Sequence, residues 1–211
     1  MTATALVRRT QADRRARTRN ALLEAAARGL SRHGYGNLVL EQVASEAGYS
    51  RGALYHQFAN KEELALAVVA WVEETWWTHM ADAINDPDPV RALVAVAREH
   101  AVYCRRDVAR VAMTLRVEFS DRDHPVGRAV REAESRVVAE ATQLIITGRD
   151  SGAIPPGPPP HVLARAVTGA VEGLVIGLAG QEPFDAQLAE SAVVGLLGLG
   201  DTPATGRSAK R

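Results

Sequence analysis

Leu40-Glu41-Gln42-Val43-Ala44-Ser45-Glu46-Ala47, then Gly48-Tyr49-Ser50, then Arg51-Gly52-Ala53-Leu54-Tyr55-His56-Gln57-Phe58, is the stretch that decides how this chain folds. Leu40, Val43, Ala44 and Ala47 recur at three and four, the period of a helix with one apolar face. Gly48 breaks that helix, and Ser50 is placed to cap the next, its hydroxyl accepting from an early amide. The second short helix spans about Arg51–Phe58, with Leu54 and Phe58 inward. Asn60 caps a longer helix from Lys61 to about Asn85, where Glu62 and Glu63 suit the positive end of the dipole. Two short helices around a tight turn make a helix-turn-helix pattern, whose second helix enters the DNA major groove N-terminal end first. Gly52 and Ala53 are small enough for close approach to base edges. Arg51 has the fork that pairs bidentately with guanine. Tyr55, His56 and Lys61 are better suited to phosphates, which fix register but carry no sequence information. A cation such as Lys61 is disfavoured at a helix start, and a phosphate partner would explain it. A capped surface helix with Tyr55 packed as an ordinary aromatic fits the spacing equally well.

Working outward, the same helical period runs through most of the 211 residues. A first helix covers about Gln11–His33, with Ala12, Ala16, Leu22, Leu23, Ala26, Ala27 and Leu30 as its stripe and Gly34 as its stop. After the Asp86-Pro87-Asp88-Pro89 turn, helices are expected over about Val90–Arg105, Asp107–Phe119, Pro125–Thr147, His161–Gly180 and Asp185–Leu199. The segment from Gly148 to Pro160, with its proline run, reads as the strongest break. The fold class is therefore all-α, with about nine helices. The expected division is 1–64, three helices that carry the helix-turn-helix, and 65–200, the remaining helices. A tail, 201–211, is expected to be disordered.

Net charge is zero, from 25 basic and 25 acidic side chains, but it is unevenly spread. Residues 1–61 carry ten basic against four acidic side chains, a surplus of six that the rest of the chain balances. A basic end on a neutral chain points to a polyanion partner for that end. Cys104 is the single cysteine, which excludes an intramolecular disulfide framework. The arginine-rich start lacks a secretory apolar segment, and no apolar run reaches the ~18 residues of a membrane span. A cytoplasmic protein without a membrane role is expected.

The segments Thr18-Arg19 to Ala25-Ala26, Gly34-Tyr35 and Val43 to Leu64 resemble the tetracycline-repressor (TetR) family of bacterial transcription regulators. The resemblance covers about the first 65 residues. It implies an all-helical homodimer that binds an inverted-repeat operator in double-stranded DNA and answers to a small-molecule effector. It implies Arg51 and Ala53 facing bases and Ser50, Gly52, Tyr55, His56 and Lys61 near phosphates. Gln57 stands where some members contact DNA through His. The chain departs from the family at Val39, where a capping threonine is common. Glu41 beside it would repel phosphate if it faced DNA.

Beyond Leu64, Ala166, Gly169, Ala170, Gly173 and Gly177 form a small-residue stripe that allows another helix to approach. With Ala192 and Leu196 of the last helix, it looks like the two-helix contact of family dimers. A membrane glycine motif fails because Glu172 interrupts the stretch. Apolar groups with a few convergent polar ones make the usual ligand site. The expected effector pocket draws on Trp71, Trp76, His79, His100, Tyr103, Cys104, Met113, Glu118 and Phe119, with Trp77 and Met80 near.

Other chemistry is set aside. Gly48-Tyr49-Ser50-Arg51-Gly52 matches the nucleophile elbow of serine hydrolases, but that elbow follows a strand, and here a helix precedes it. His100 and Cys104 lie four apart without the further ligands that zinc requires. Asp121 and Asp123 lack the glycine and glutamate of a calcium loop, and no phosphate-cradling glycine loop occurs. No metal, cofactor or catalytic residue is expected. The expected function is a ligand-responsive DNA-binding regulator, a repressor that releases its operator on binding effector. The alternatives are a constitutive dimeric DNA-binding protein and a helical hydrolase using Ser50.

Overall fold

A computed structural model describes residues 11–106, 108–178 and 180–200. The expected tail, 201–211, and the arginines ahead of the first helix lie outside them. All regular structure among the described residues is helical: α1 Gln11–His33, α2 Leu40–Glu46, α3 Arg51–Gln57, α4 Lys61–Ile84, α5 Pro89–Tyr103, α6 Val111–Glu118, α7 Pro125–Asp150, α8 Pro160–Gly177 and α9 Phe184–Leu196. The chain divides into two compact units, each discontinuous in sequence. One lies within Met1–Glu74 and Asp107–Arg131, the other within Thr75–Arg106 and Glu132–Arg211. A single cut after Leu64 was expected from sequence. That residue sits in the first turn of α4, wholly buried in the core of the first unit.

In the first unit, α1 buries Leu22, Leu23, Ala25, Ala26, Ala27 and Leu30. They meet Val43 and Ala44 of α2, Leu54 of α3, Leu64, Ala65 and Val68 of α4, and Val111 and Leu115 of α6. Local chemistry sets the boundaries. Gly34 ends α1 at φ 73°, its amide donating to the Leu30 carbonyl at 3.0 Å. Gly48, at φ 76°, turns the chain between α2 and α3. Asn60 Oδ1 accepts from the Glu63 amide at 2.8 Å, while Glu63 Oε2 accepts from the Ala59 amide at 2.7 Å. This reciprocal cap starts α4.

In the second unit, α8 turns Leu163, Ala164, Val167, Val171 and Val175 inward, and α9 turns Ala186, Ala189 and Val193 inward. Arg105 ties the end of α5 to the start of α9. Its Nε and one terminal amino group each donate at 2.9 Å to the two oxygens of buried Asp185. That pairing holds the Asp185 carboxyl below its ordinary pKa.

Two breaks are corrected. Gly148, read as the end of a helix, lies inside α7. A Cβ there would come within 2.5 Å of Ile154, so the bare glycine is the platform on which that buried side chain folds back. Pro160, read as loop, is the first residue of α8, a position where proline's missing N–H costs nothing. The sixth helix was expected from Asp107 but begins at Val111, after turns over residues 108–110.

Candidate nucleic-acid interface

The helix-turn-helix forms as its residues predict. Ser50 Oγ accepts from the Ala53 amide at 3.2 Å and caps α3. Leu54 and Phe58 are buried, while Ser50, Arg51, Gly52, Tyr55 and His56 are exposed and Ala53 and Gln57 half-buried. One face of α3 is thus committed to the core and the other offers small and polar groups. Val39 precedes α2 with no side-chain cap bond, as its apolar side chain requires.

Two of these side chains have intramolecular partners that spacing did not reveal. Arg51 Nε lies 3.1 Å from Glu41 Oε1, and its guanidinium carbon lies 5.3 Å from the centre of the Tyr55 ring. Hydrogen bonding to Tyr55 and the Glu41 charge both raise the Arg51 pKa, so the guanidinium stays charged. Glu41, read as a neighbour that repels phosphate, is an arginine partner. Lys61 Nζ donates to the Gly36 carbonyl at 2.8 Å and sits 4.9 Å from the Tyr35 ring centre. A carbonyl and an aromatic face therefore stabilise the ammonium at the helix start. A phosphate is not needed to explain the lysine, though three donors leave it capacity for one.

Glu118, expected in a ligand pocket, does something else. Its two oxygens accept from the Tyr35 and Gly36 amides, at 2.5 and 2.7 Å. A Cβ on Gly34 would stand 2.6 Å from the same carboxylate. The end of α6 therefore clamps the turn that feeds α2. Phe119, also assigned to the pocket, is buried in the core of the first unit, stacked on His124 at 4.5 Å and edge-on to Tyr35. Trp71 packs against that core as well, and Met113 is a half-buried residue of α6.

The remaining pocket residues meet in the second unit. Trp76 Nε1 donates to His100 Nδ1 at 2.9 Å, and His100 Nε2 lies 3.5 Å from Cys104 Sγ. The imidazole proton therefore sits on Nε2. Part of the residue's surface meets solvent, but the ring is packed among its neighbours, and burial lowers the His100 pKa to about 4. Protonating Nδ1 would also set donor against the indole donor. The Tyr103 and Thr75 hydroxyls share a bond of 2.9 Å, and His79 lies 3.5 Å from Glu99. Trp77 stands edge-on to Trp76 at 4.9 Å, with Met80 wholly buried. Sequence periodicity could not separate the two sets, because Trp71 and Trp76 lie on one continuous helix that contributes to both units.

The stripe expected at a dimer contact is exposed. Ala166, Gly169, Gly173, Gly177 and Leu196 are open to solvent, with Ala170 and Ala192 half-buried. A Cβ added at Gly169, Gly173 or Gly177 would meet nothing within 4 Å. Exposed Val162, Ile176 and Leu188 lie on the same two helices. Among the described residues no group of three or more His, Cys, Asp or Glu side chains could hold a metal ion. No described helix is long and apolar enough to cross a membrane.

Comparison with known proteins agrees with this geometry. Residues 22–68 match the family described as bacterial regulatory proteins, tetR family. The transcriptional repressor AcnR of Corynebacterium glutamicum is 27% identical over 170 residues, spanning 79% of this chain and 85% of AcnR. A TetR-family regulator from Streptomyces coelicolor superposes with a TM-score of 0.73 at 22% identity, over 87% of this chain and 95% of its own. FadR of Bacillus subtilis, solved with stearoyl-CoA, superposes with a TM-score of 0.72 at 17% identity, over 85% of this chain and 98% of its own. Residues 22–68 thus carry the signature of the TetR family of bacterial transcription regulators, and the described fold is that of solved members of that family.

Proposed function

We propose that this protein is a cytoplasmic, homodimeric repressor that leaves an inverted-repeat operator when a small effector binds. The observation that carries the reading is the exposed face of α3, small at Gly52 and Ala53 and cationic at Arg51, presented by a glycine turn and a serine cap. Arg51 and Ala53 address bases. Ser50, Gly52, Tyr55, His56 and Lys61 approach phosphates, and Gln57 lies beside them. The exposed stripe of α8 and α9 supplies the dimer contact, which sets the spacing of two half-sites.

The effector is received near Trp76, His79, His100, Tyr103 and Cys104. Apolar walls with a few fixed polar groups suit a mostly apolar ligand, and the stearoyl-CoA held by the Bacillus subtilis fold relative supports starting an inducer screen with acyl-CoA compounds. Helix α4 carries both Lys61 and Trp76, so a ligand that displaces one end displaces the other. That gives effector and operator a shared element on which to act reciprocally.

The test is selection of bound sequences from random duplex DNA at near-physiological salt, repeated with candidate effectors. Enrichment of an inverted repeat, lost on addition of an effector, is the expected result. Enrichment that no ligand alters would leave a constitutive DNA-binding dimer. No enrichment by the folded protein would overturn the reading.

A further inference from the structure

We infer that Glu41 is a specificity-determining positioning residue, which holds Arg51 toward the bases and away from the phosphate backbone. The inference rests on the DNA-binding reading and adds to it a role for an acidic side chain on an interface built for a polyanion.

Arg51 is the first residue of α3, and Glu41 belongs to the first turn of α2. The 3.1 Å pair between them joins the first turns of the two helices of the motif. Both side chains are exposed, at 65% and 51%. An ion pair so open to water contributes little to stability, so the fold does not account for its presence. Its effect is on direction. A long side chain at a helix start is otherwise free among many rotamers, and a phosphate is the strongest attraction within its reach. The Glu41 carboxylate sits beside Nε as an ion pair, and the Tyr55 ring lies against the guanidinium. The two terminal amino groups carry four N–H donors, more than the single Tyr55 oxygen can engage. Those amino groups are the pair that meets guanine O6 and N7 end-on.

The carboxylate also competes. When the opposing base is not guanine, Arg51 stays on Glu41 rather than moving to a phosphate. A wrong sequence then gains nothing from Arg51, and specificity, a difference of affinities, increases. Without Glu41, Arg51 becomes a general backbone contact, which carries no sequence information.

Sequence selection and salt titration should be run on the wild-type protein, Glu41→Gln, Glu41→Asp, Arg51→Ala and the Glu41→Gln/Arg51→Ala double variant. In Glu41→Gln, preference should fall about fivefold or more at the one base pair per half-site that Arg51→Ala also relaxes. On random DNA its binding should strengthen, and its salt slope should steepen by up to about one unit as Arg51 gains a phosphate. Glu41→Asp keeps the negative charge in the first turn of α2 but shortens the reach, so it should lose preference as Glu41→Gln does. In the Arg51→Ala background, Glu41→Gln should leave preference unchanged. A role confined to the helix dipole would spare Glu41→Asp and lower affinity for all sequences alike, which would overturn the inference. Unchanged preference in Glu41→Gln, with a selective wild-type protein, would also overturn it. A wild-type protein that selects nothing overturns the DNA-binding reading itself.

Discussion

The two units expose different chemistry on their helices. In the first, the outward face of the short helix α3 is small and polar, with Arg51, Tyr55 and His56 held on a core that keeps only Leu54 and Phe58 from that segment. In the second, α8 and α9 expose Val162, Ile176, Leu188 and Leu196 around bare glycines. Water solvates the first face well and the second poorly. The first suits a hydrated polyanion that comes and goes with salt, and the second suits a permanent apolar partner. On the proposed reading, the same chain separates a reversible contact from one that stays in place.

The largest effect expected from attacking this contrast comes at the apolar face. Gly173→Arg should halve the mass seen by sedimentation and weaken operator binding by at least about 100-fold, because half-sites are then bound one at a time. The open space around Gly173 means that each subunit should keep its helical spectrum. A dimer surviving that substitution would locate the interface elsewhere.

Next comes the core beneath the polar face. Leu54 is fully buried. Leu54→Ala should cost about 3 kcal/mol of unfolding free energy, measured by denaturant titration. A cost below about 1 kcal/mol would mean that α3 is not anchored as described.

The buried imidazole should give the second unit an acid limb. His100 titrates near 4 when folded, below its ordinary 6.5. The unfolded chain therefore binds the proton first, and stability falls as pH drops below 6.5 until the folded form is also protonated near 4. Each unit in that window costs up to about 1.4 kcal/mol. Thermal scans from pH 7 to 4 should show the loss, and His100→Gln should flatten it.

The smallest effect sharpens the polar side. Lys61→Ala should weaken binding to all DNA sequences alike and reduce the salt slope by about one unit. A change in base preference instead would mean that Lys61 does not act through the backbone.

These contrasts were legible in sequence to different depths. The turn at Gly48, the Ser50 cap and the inward Leu54 and Phe58 are local, and their spacing alone specifies them. The exposed stripe of α8 was legible because small residues at helical spacing mark a face. What spacing could not show is which distant group meets a face. Glu118 reaches amides 82 and 83 residues away, and Arg105 reaches an aspartate 80 residues on. Periodicity says that a side chain turns inward but not toward what. For the same reason the sequence alone groups Trp71, Met113, Glu118 and Phe119 with residues of the other unit. Sequence alone ends a helix at Gly148, because glycine signals both an end and a bare surface for a neighbour. Only the fold-back of Ile154 decides between them.

The clamp on the turn before α2 has a consequence for how this sequence can drift. A methyl group at position 34 would push the Glu118 carboxylate off its amides, and the positive φ disfavours one in any case. An aspartate at 118 would fall one carbon short of the two amides. The glycine is thus fixed by its own backbone angle, whatever stands at 118, while the glutamate is fixed by the two amides it accepts from. In descendants of this protein position 34 should therefore stay glycine even where position 118 and the outward face of α3 have diverged.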